Sequence, residues 1–171
     1  MQFAPSRGGM RLLPGRFGPR PRTSPGLPFR QLDQFPPAEM IGEVAQFGRA
    51  LGGVRTRESR MAEAGTVALS VSGAAVSGTP QAFIDGDEFC HLLPAPCGSL
   101  LLTLPPAEIE GVVVLGWAAR HPIQTLGLMQ SMVLVYGPRT LEELEVVAML
   151  VERSCRFARG LGPPGAAVRA L

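Results

Sequence analysis

The chain of 171 residues and 18.1 kDa has the length of one domain. Apolar residues make up 46% and charged residues 18%, which allows an ordinary core and excludes wholesale disorder. The net charge of +2 is unevenly placed: residues 1–36 carry six Arg against Asp33 alone, whereas residues 37–171 carry ten Arg against thirteen acids, so nucleic acid loses its support as a partner.

Every basic residue is Arg, and both Lys and Asn, whose codons are AT-rich, are missing. That bias points to a GC-rich, bacterial gene. The three cysteines, Cys90, Cys97 and Cys155, form no CxxC pair, so neither a disulfide framework nor a zinc ribbon is expected and a reducing cytoplasm is. The stretch Gly111 to Ala119 is about half a membrane span, and the N-terminus lacks the apolar run of a standard secretory signal. No membrane partner is expected.

Residues 1–36 hold seven Pro and five Gly between scattered Arg, a composition that supports neither a helix nor a strand ladder. A disordered or loosely draped tail is expected there, either a basic arm or an idle one. Pro36-Pro37-Ala38-Glu39 then opens a helix with Met40, Val44, Phe47 and Leu51 on one face, closed by Gly52-Gly53. Strands are predicted at Val54 to Arg60, Gly65 to Val71, Gln81 to Ile84, Glu88 to Leu92 and Ser99 to Leu104, with Ser72 to Gly78 a glycine-rich loop. Asp85-Gly86-Asp87 is a hairpin turn between the third and fourth.

A second helix begins at Pro105-Pro106-Ala107-Glu108, where Pro suits the first turn and Glu the positive end of the helix. After Trp117 to Gln130 comes a strand, Met132 to Tyr136. Thr140-Leu141-Glu142-Glu143 is a capping box for a helix running to about Arg159, with Leu144, Val147, Val151 and Cys155 inward and Gly160 at its end. The order α-β-β-β-β-β-α-β-α predicts a single α+β domain over residues 37–160, a mostly antiparallel sheet packed by helices on one side, followed by a flexible tail over 161–171.

Two histidines, His91 and His121, are the candidate catalytic residues, able as a pair to serve as acid and base or to share a metal. The competing reading is a packed strand histidine and a loop histidine with separate tasks. Strand alternation puts Glu88 and Cys90 on one face and Phe89 and His91 on the other. A metal would need a third ligand, for which only Glu88 or Asp87 is near, so no metal site is assigned.

Tyr136-Gly137-Pro138-Arg139-Thr140 sets an Arg just before a helix N-terminus, against the helix dipole. There Arg139 and unpaired N–H groups suit a carboxylate or phosphate, or Arg139 pairs with Glu142 or Glu143. Trp117, the sole Trp, is a core plug or a ligand platform. Trp117, Tyr136 and Arg139 are accordingly the candidate ligand-binding residues. No phosphate loop, dinucleotide fingerprint or nucleophile elbow is present.

The second half carries further pattern: Phe89-x-His91, Gly98-Ser99-Leu100, Leu102-x-Leu104-Pro105, Gly116-Trp117-x-x-x-His121-Pro122, Val133-x-Val135-Tyr136-Gly137-Pro138-Arg139 and Glu142-Glu143-Leu144-Glu145-Val146-Val147. In this order the motifs resemble the luciferase-domain family of small bacterial and fungal proteins and domains, over about Pro37 to Gly160. The resemblance implies the fold and draws attention to Trp117, His121, Tyr136 and Arg139; it transfers no reaction, substrate or cofactor. Family members commonly carry His in Gly-Ser-Leu-His-Leu, where this chain has Leu101.

Three functions follow as expectations. The first is a small-molecule-binding domain for a partly apolar or anionic ligand, with acid–base turnover. The second is a non-catalytic interaction or accessory protein. The third, an oxygen-dependent oxidoreductase, rests on the family's label alone, and the cofactor is left unknown.

Overall fold

A computed structural model describes residues 13–72 and 77–162. Three helices, α1 (Ala38–Ala50), α2 (Pro106–Val114) and α3 (Leu141–Ala158), accompany six strands. The strands are β1 (Val54–Glu58), β2 (Val67–Val71), β3 (Glu88–Leu92), β4 (Leu100–Thr103), β5 (Ala118–Arg120) and β6 (Met132–Val135). They form one sheet in the order β1-β2-β3-β4-β6-β5, and every pairing is antiparallel. The α+β architecture expected from the sequence is the one observed.

The element order differs at two places. Gln81 to Ile84 is not a strand: Pro80–Ala82 is a single 3-10 turn, and only an isolated bridge from Asp85 to Glu88 survives of the expected hairpin. Pro80, with no N–H to give a ladder, opens the 3-10 turn that takes the place of the strand. The missing strand is replaced by β5, three residues with no period of their own, which forms because β6 offers it an edge. The helices match their predicted faces. Val44 is buried in α1, and Leu144, Val147, Val151 and Cys155 are buried in α3.

The helices gather on one face. α1 lies over β1 and β2, α3 over β3 and β4, and α2 beside β5. Their apolar stripes join Leu69, Cys90, Leu102 and Val133 in one continuous core. Gly48 of α1 allows close approach, since a Cβ there would stand 2.6 Å from Leu69 Cδ1.

A β-bulge breaks the register between Leu69 and Ser70 opposite β3. The extra residue resets the side-chain alternation. Phe89 therefore joins Cys90 and Leu92 in the helix-side core. Glu88 turns to the other face and joins His91, with which it hydrogen-bonds. The alternation expected from the sequence, with Glu88 beside Cys90 and Phe89 beside His91, is corrected by this one residue.

Residues 13–36 begin beside the end of α2, where Leu13 packs on the helix-side core and the Arg16 N–H donates to Leu115 O, and go on to cover the opposite face. They form no helix and no ladder beyond the isolated bridge Thr23–Gln31, as their composition requires. The described part is draped over the sheet. Phe29 packs on Leu101, Ala119, Leu134 and Tyr136, and Pro36 seats against Gly98 and Gly137. The partners are distant in sequence, so composition carried no sign of them. Residues 1–12 of the expected N-terminal tail and 163–171 of the C-terminal one lie outside the described residues, as do 73–76 of the glycine-rich loop.

Candidate functional site

The bulge on β3 builds a buried acid–base cluster. His91 Nε2 lies 2.7 Å from Glu88 Oε2, and both side chains are almost fully buried. Arg57 on β1 donates from Nε to Glu88 Oε1 at 2.9 Å and from Nη2 to Asp87 Oδ1 at 2.6 Å. The Ser59 hydroxyl stands 3.3 Å from Glu88 Oε2 and 3.5 Å from His91 Nε2. It also accepts the backbone N–H groups of Met61 and Ala62.

The electrostatics decide the protonation. Burial would raise the Glu88 pKa, but hydrogen bonds from His91 and Arg57 outweigh it and hold the carboxyl below its ordinary range. Burial pushes the His91 pKa down against the opposing pull of Glu88. A neutral imidazole beside a carboxylate places its proton on Nε2, toward Glu88. Nδ1 is then the basic nitrogen. A carboxylate that fixes tautomer and orientation in this way is the arrangement that general-base histidines use.

His121 has a different setting. It precedes the 3-10 turn Pro122–Leu126, and its Nδ1 accepts the Ile123 N–H at 3.2 Å. Its ring meets Phe29 edge-on, with centroids 5.3 Å apart, and burial lowers its pKa. His91 and His121 share the face opposite the helices. Because β3 and β5 are separated by β4 and β6, three strand spacings, roughly 14 Å, lie between their rows. Leu101 stands directly across from His91, Leu134 follows on β6, and Phe29 covers both. The structure therefore does not bring the two imidazoles into proton-transfer contact. A histidine at the Leu101 position would stand next to His91.

Tyr136 and Arg139 meet the 13–36 segment, and so does Trp117, whose ring packs in the helix-side core. Trp117 Nε1 donates to Pro14 O at 2.6 Å. Tyr136 packs on Phe29, and the Arg16 guanidinium lies 5.5 Å from its ring centroid. Arg139 binds Glu143 through two nitrogens, Gln34 Oε1 at 2.8 Å and Phe17 O at 2.9 Å. Of the two roles open to Arg139, pairing with Glu143 is the one observed. Hydrogen bonding to Glu143 raises the Arg139 pKa further.

The capping box is half formed. Thr140 Oγ1 accepts the Glu143 N–H at 3.3 Å, whereas the Glu143 carboxylate reaches past Thr140 to the Arg139 N–H at 2.8 Å. Burial acts to raise the Glu143 pKa, but hydrogen bonds from Arg139 and the charge of Arg16 hold it low.

Sequence reasoning missed Arg57, Ser59, Arg16, Gln31 and Gln34. Gln31 is almost wholly buried: its Oε1 takes the Gly137 N–H at 3.0 Å, and its Nε2 donates to Asp33 O and Gln34 O. Only the arginines carried a signal, as charged residues in segments otherwise short of partners. The cysteines are buried and unpaired, and burial pushes the thiols of Cys90 and Cys155 upward. Among the described residues no three His, Cys, Asp or Glu side chains cluster as a metal would require, and no helix is long and apolar enough to cross a membrane. A shallow depression lined by Thr79, Pro80, Gln81, Pro106 and Phe157 includes none of the candidate residues.

A family profile described as "Luciferase domain" matches residues 86–154, from the turn before β3 to the last turns of α3. That range includes Glu88, His91, Trp117, His121, Tyr136 and Arg139 and leaves out the 13–36 segment, Arg57 and Ser59. Proteins named "Luciferase" from the fungi Armillaria ostoyae, Armillaria gallica and Armillaria mellea are each 27% identical over 162 residues, covering 85% of this chain. The chain spans 60% of the length of these relatives. They are fungal, so the bacterial source suggested by codon usage finds no support among them. No solved structure gives a significant match.

Proposed function

From its place in the luciferase-domain family, we propose that this chain is a small-molecule-binding domain whose acid–base group is His91. The observation that carries the reading is the buried 2.7 Å contact between His91 Nε2 and Glu88 Oε2, braced by Arg57. Glu88 keeps the imidazole in one tautomer, and Nδ1 takes a proton from the ligand and returns it. His121 and Tyr136 share the His91 face of the sheet, with Arg139 in the loop after β6 and Trp117 at the edge of the helix-side core; together they form the ligand-binding lane, with His121 as a wall residue rather than a second base. Three unpaired buried cysteines suit a reducing compartment.

A thermal-shift screen of metal ions and small metabolites against wild type, His91→Gln, Glu88→Gln and Arg139→Ala tests this reading. A ligand shift present in wild type and lost in His91→Gln and Glu88→Gln is expected. A shift retained in both variants overturns the assignment of His91.

A second reading, a non-catalytic interaction protein, is favoured by one observation: Trp117, His121, Tyr136 and Arg139 are all contacted by residues 13–36. It predicts partner binding that is indifferent to His91→Gln. Oxidation by molecular oxygen, suggested by the printed name of the relatives, is a third proposal. Visible absorbance of the purified protein tests it for a bound flavin.

A further inference from the structure

Residues 13–36 contact four of the candidate residues. Pro14 O holds Trp117, Phe29 sits against His121 and Tyr136, and Phe17 O and Gln34 hold Arg139. The segment continues toward the His91 cluster, where Arg30 Nη2 meets Glu63 Oε2 at 2.8 Å on the β1–β2 connection that begins at Ser59. Phe29, the neighbour of Arg30, rests on Leu101, which faces His91 across the sheet. One extended strap thus covers the whole lane between the two histidines.

The strap has the properties of a cover that lifts. Among the described residues one main-chain bond, from the Arg16 N–H to Leu115 O at 2.8 Å, ties it to the body; its isolated bridge, Thr23–Gln31, lies within the strap, and its other polar ties to the body run through side chains. Phe17, Leu27, Leu32 and Phe35 point outward, Phe17 being 91% exposed, so few of its large apolar groups gain from closure. Arg16 is carried into the interior with its side chain only 2% exposed, and among the described residues its Nε and Nη2 have no hydrogen-bond partner. The Glu143 carboxylate at 3.6 Å only partly compensates it, and burial lowers the Arg16 pKa. Burying a charge so incompletely partnered works against the closed position.

A pivot is also present. Gln34 has φ 52°, a left-handed conformation rare for a residue with a Cβ. It lies two residues before Pro36, which is locked where Cβ atoms at Gly98 and Gly137 would collide with it. The chain is therefore fixed at Pro36 and strained just before it.

We propose that residues 13–36 form a lid that swings about Gln34 and Phe35, anchored at Pro36, and opens the lane between His91 and His121 to ligand. The proposal rests on the preceding reading only in taking that lane as the ligand's place.

The test needs no ligand, so the lid and the acid–base reading fail separately. The full chain is treated with diethyl pyrocarbonate at increasing urea below the unfolding transition, and modification of His121 is followed by peptide mass spectrometry. Opening of a local segment exposes little surface, so the rate should depend only weakly on urea. Phe29→Ala and Glu63→Gln should each raise it, Phe29→Ala by about tenfold, without shifting the global transition in proportion. A wild-type rate at His121 that follows global unfolding throughout the urea series would overturn the lid, whatever the variants do. So would equal rates in wild type and in a folded Phe29→Ala variant.

Discussion

The two faces of the sheet are covered by different materials. On one, three regular helices bury a continuous stripe of Val, Leu and Ile against the strands, and backbone hydrogen bonds are satisfied within each helix. On the other, an irregular strap contributes Phe29 as its main apolar anchor and leaves the rest to polar contacts with Arg139, Gly137 and Trp117. Hydrophobic burial gives the first face stability; specific hydrogen bonds give the second a position that can be given up. His91, His121 and Tyr136 lie on the second face, whereas Trp117 is packed in the core of the first.

Truncation of one phenylalanine on each face separates them most sharply. Phe89→Ala removes a fully buried ring from the helix-side core, and a loss of about 3–5 kcal/mol is expected. Phe29→Ala should lose only about 1–2 kcal/mol, because the strap can lift away rather than leave a cavity. Urea unfolding of both variants checks the contrast, and equal losses would make the strap part of the core.

Gly137→Ala addresses the seat of the strap. The new Cβ would stand 2.6 Å from Pro36 Cγ and 2.7 Å from Gly98 O, so either the strap end or the backbone must move. A loss of roughly 1–3 kcal/mol is expected by calorimetry. Combining it with Pro36→Ala should recover part of the loss, since one of the two clashes is then gone. No recovery at all would place the conflict at Gly98 O alone.

The second face should also respond to pH. His91 and His121 have lowered pKa values in the folded chain, so the unfolded chain binds protons more readily. Their contribution is complete above the unfolded histidine value of about 6.5 and declines as pH falls through that value toward the lower folded ones. Glu88 and Glu143, also lowered, continue the loss in the carboxylate range. Melting temperatures should thus fall between neutral pH and pH ~5, and His91→Gln with His121→Gln should flatten the slope. A slope unchanged in the double variant would assign the acid sensitivity to other groups.

The smallest effect belongs to the Arg30–Glu63 pair, both side chains about one-third exposed. Glu63→Gln should change global stability by less than about 1 kcal/mol. Its informative readout is hydrogen exchange of the Leu32 and Ser24 amides, which bond within the strap. Faster exchange there with unchanged exchange in β4 and β6 would confirm that the two faces open independently.

Much of the helix side was legible in the residues. The apolar spacing of Val44, Leu144, Val147 and Val151, the Pro-rich helix starts and the Thr140 cap are local signals, and each appears where the pattern puts it. Within the candidate site, His91, Trp117, His121, Tyr136 and Arg139 were visible as unusual residue types in a turn-rich setting. Their grouping was not. The one-residue bulge opposite Leu69 and Ser70 moved Glu88 to the side of His91, and alternation alone cannot show where a register slips. Arg57 and Ser59 entered because β1 lies next but one to β3 in the sheet, a fact of topology rather than of spacing.

The strap marks the same boundary. By itself the sequence determined that residues 13–36 form neither helix nor ladder, since Pro and Gly remove the donors and the restraint that both need. It also determined the α+β class and the side of each helix that faces inward, because these depend on neighbours three or four residues away. Only the tertiary structure decided that the strap touches Trp117, Tyr136 and Arg139, and that His91 hydrogen-bonds with Glu88 and stands apart from His121. Those partners meet across as many as 122 positions of chain, as Arg139 does with Phe17. Contacts so remote are set by packing of the whole sheet and leave no periodic trace in the residues that make them.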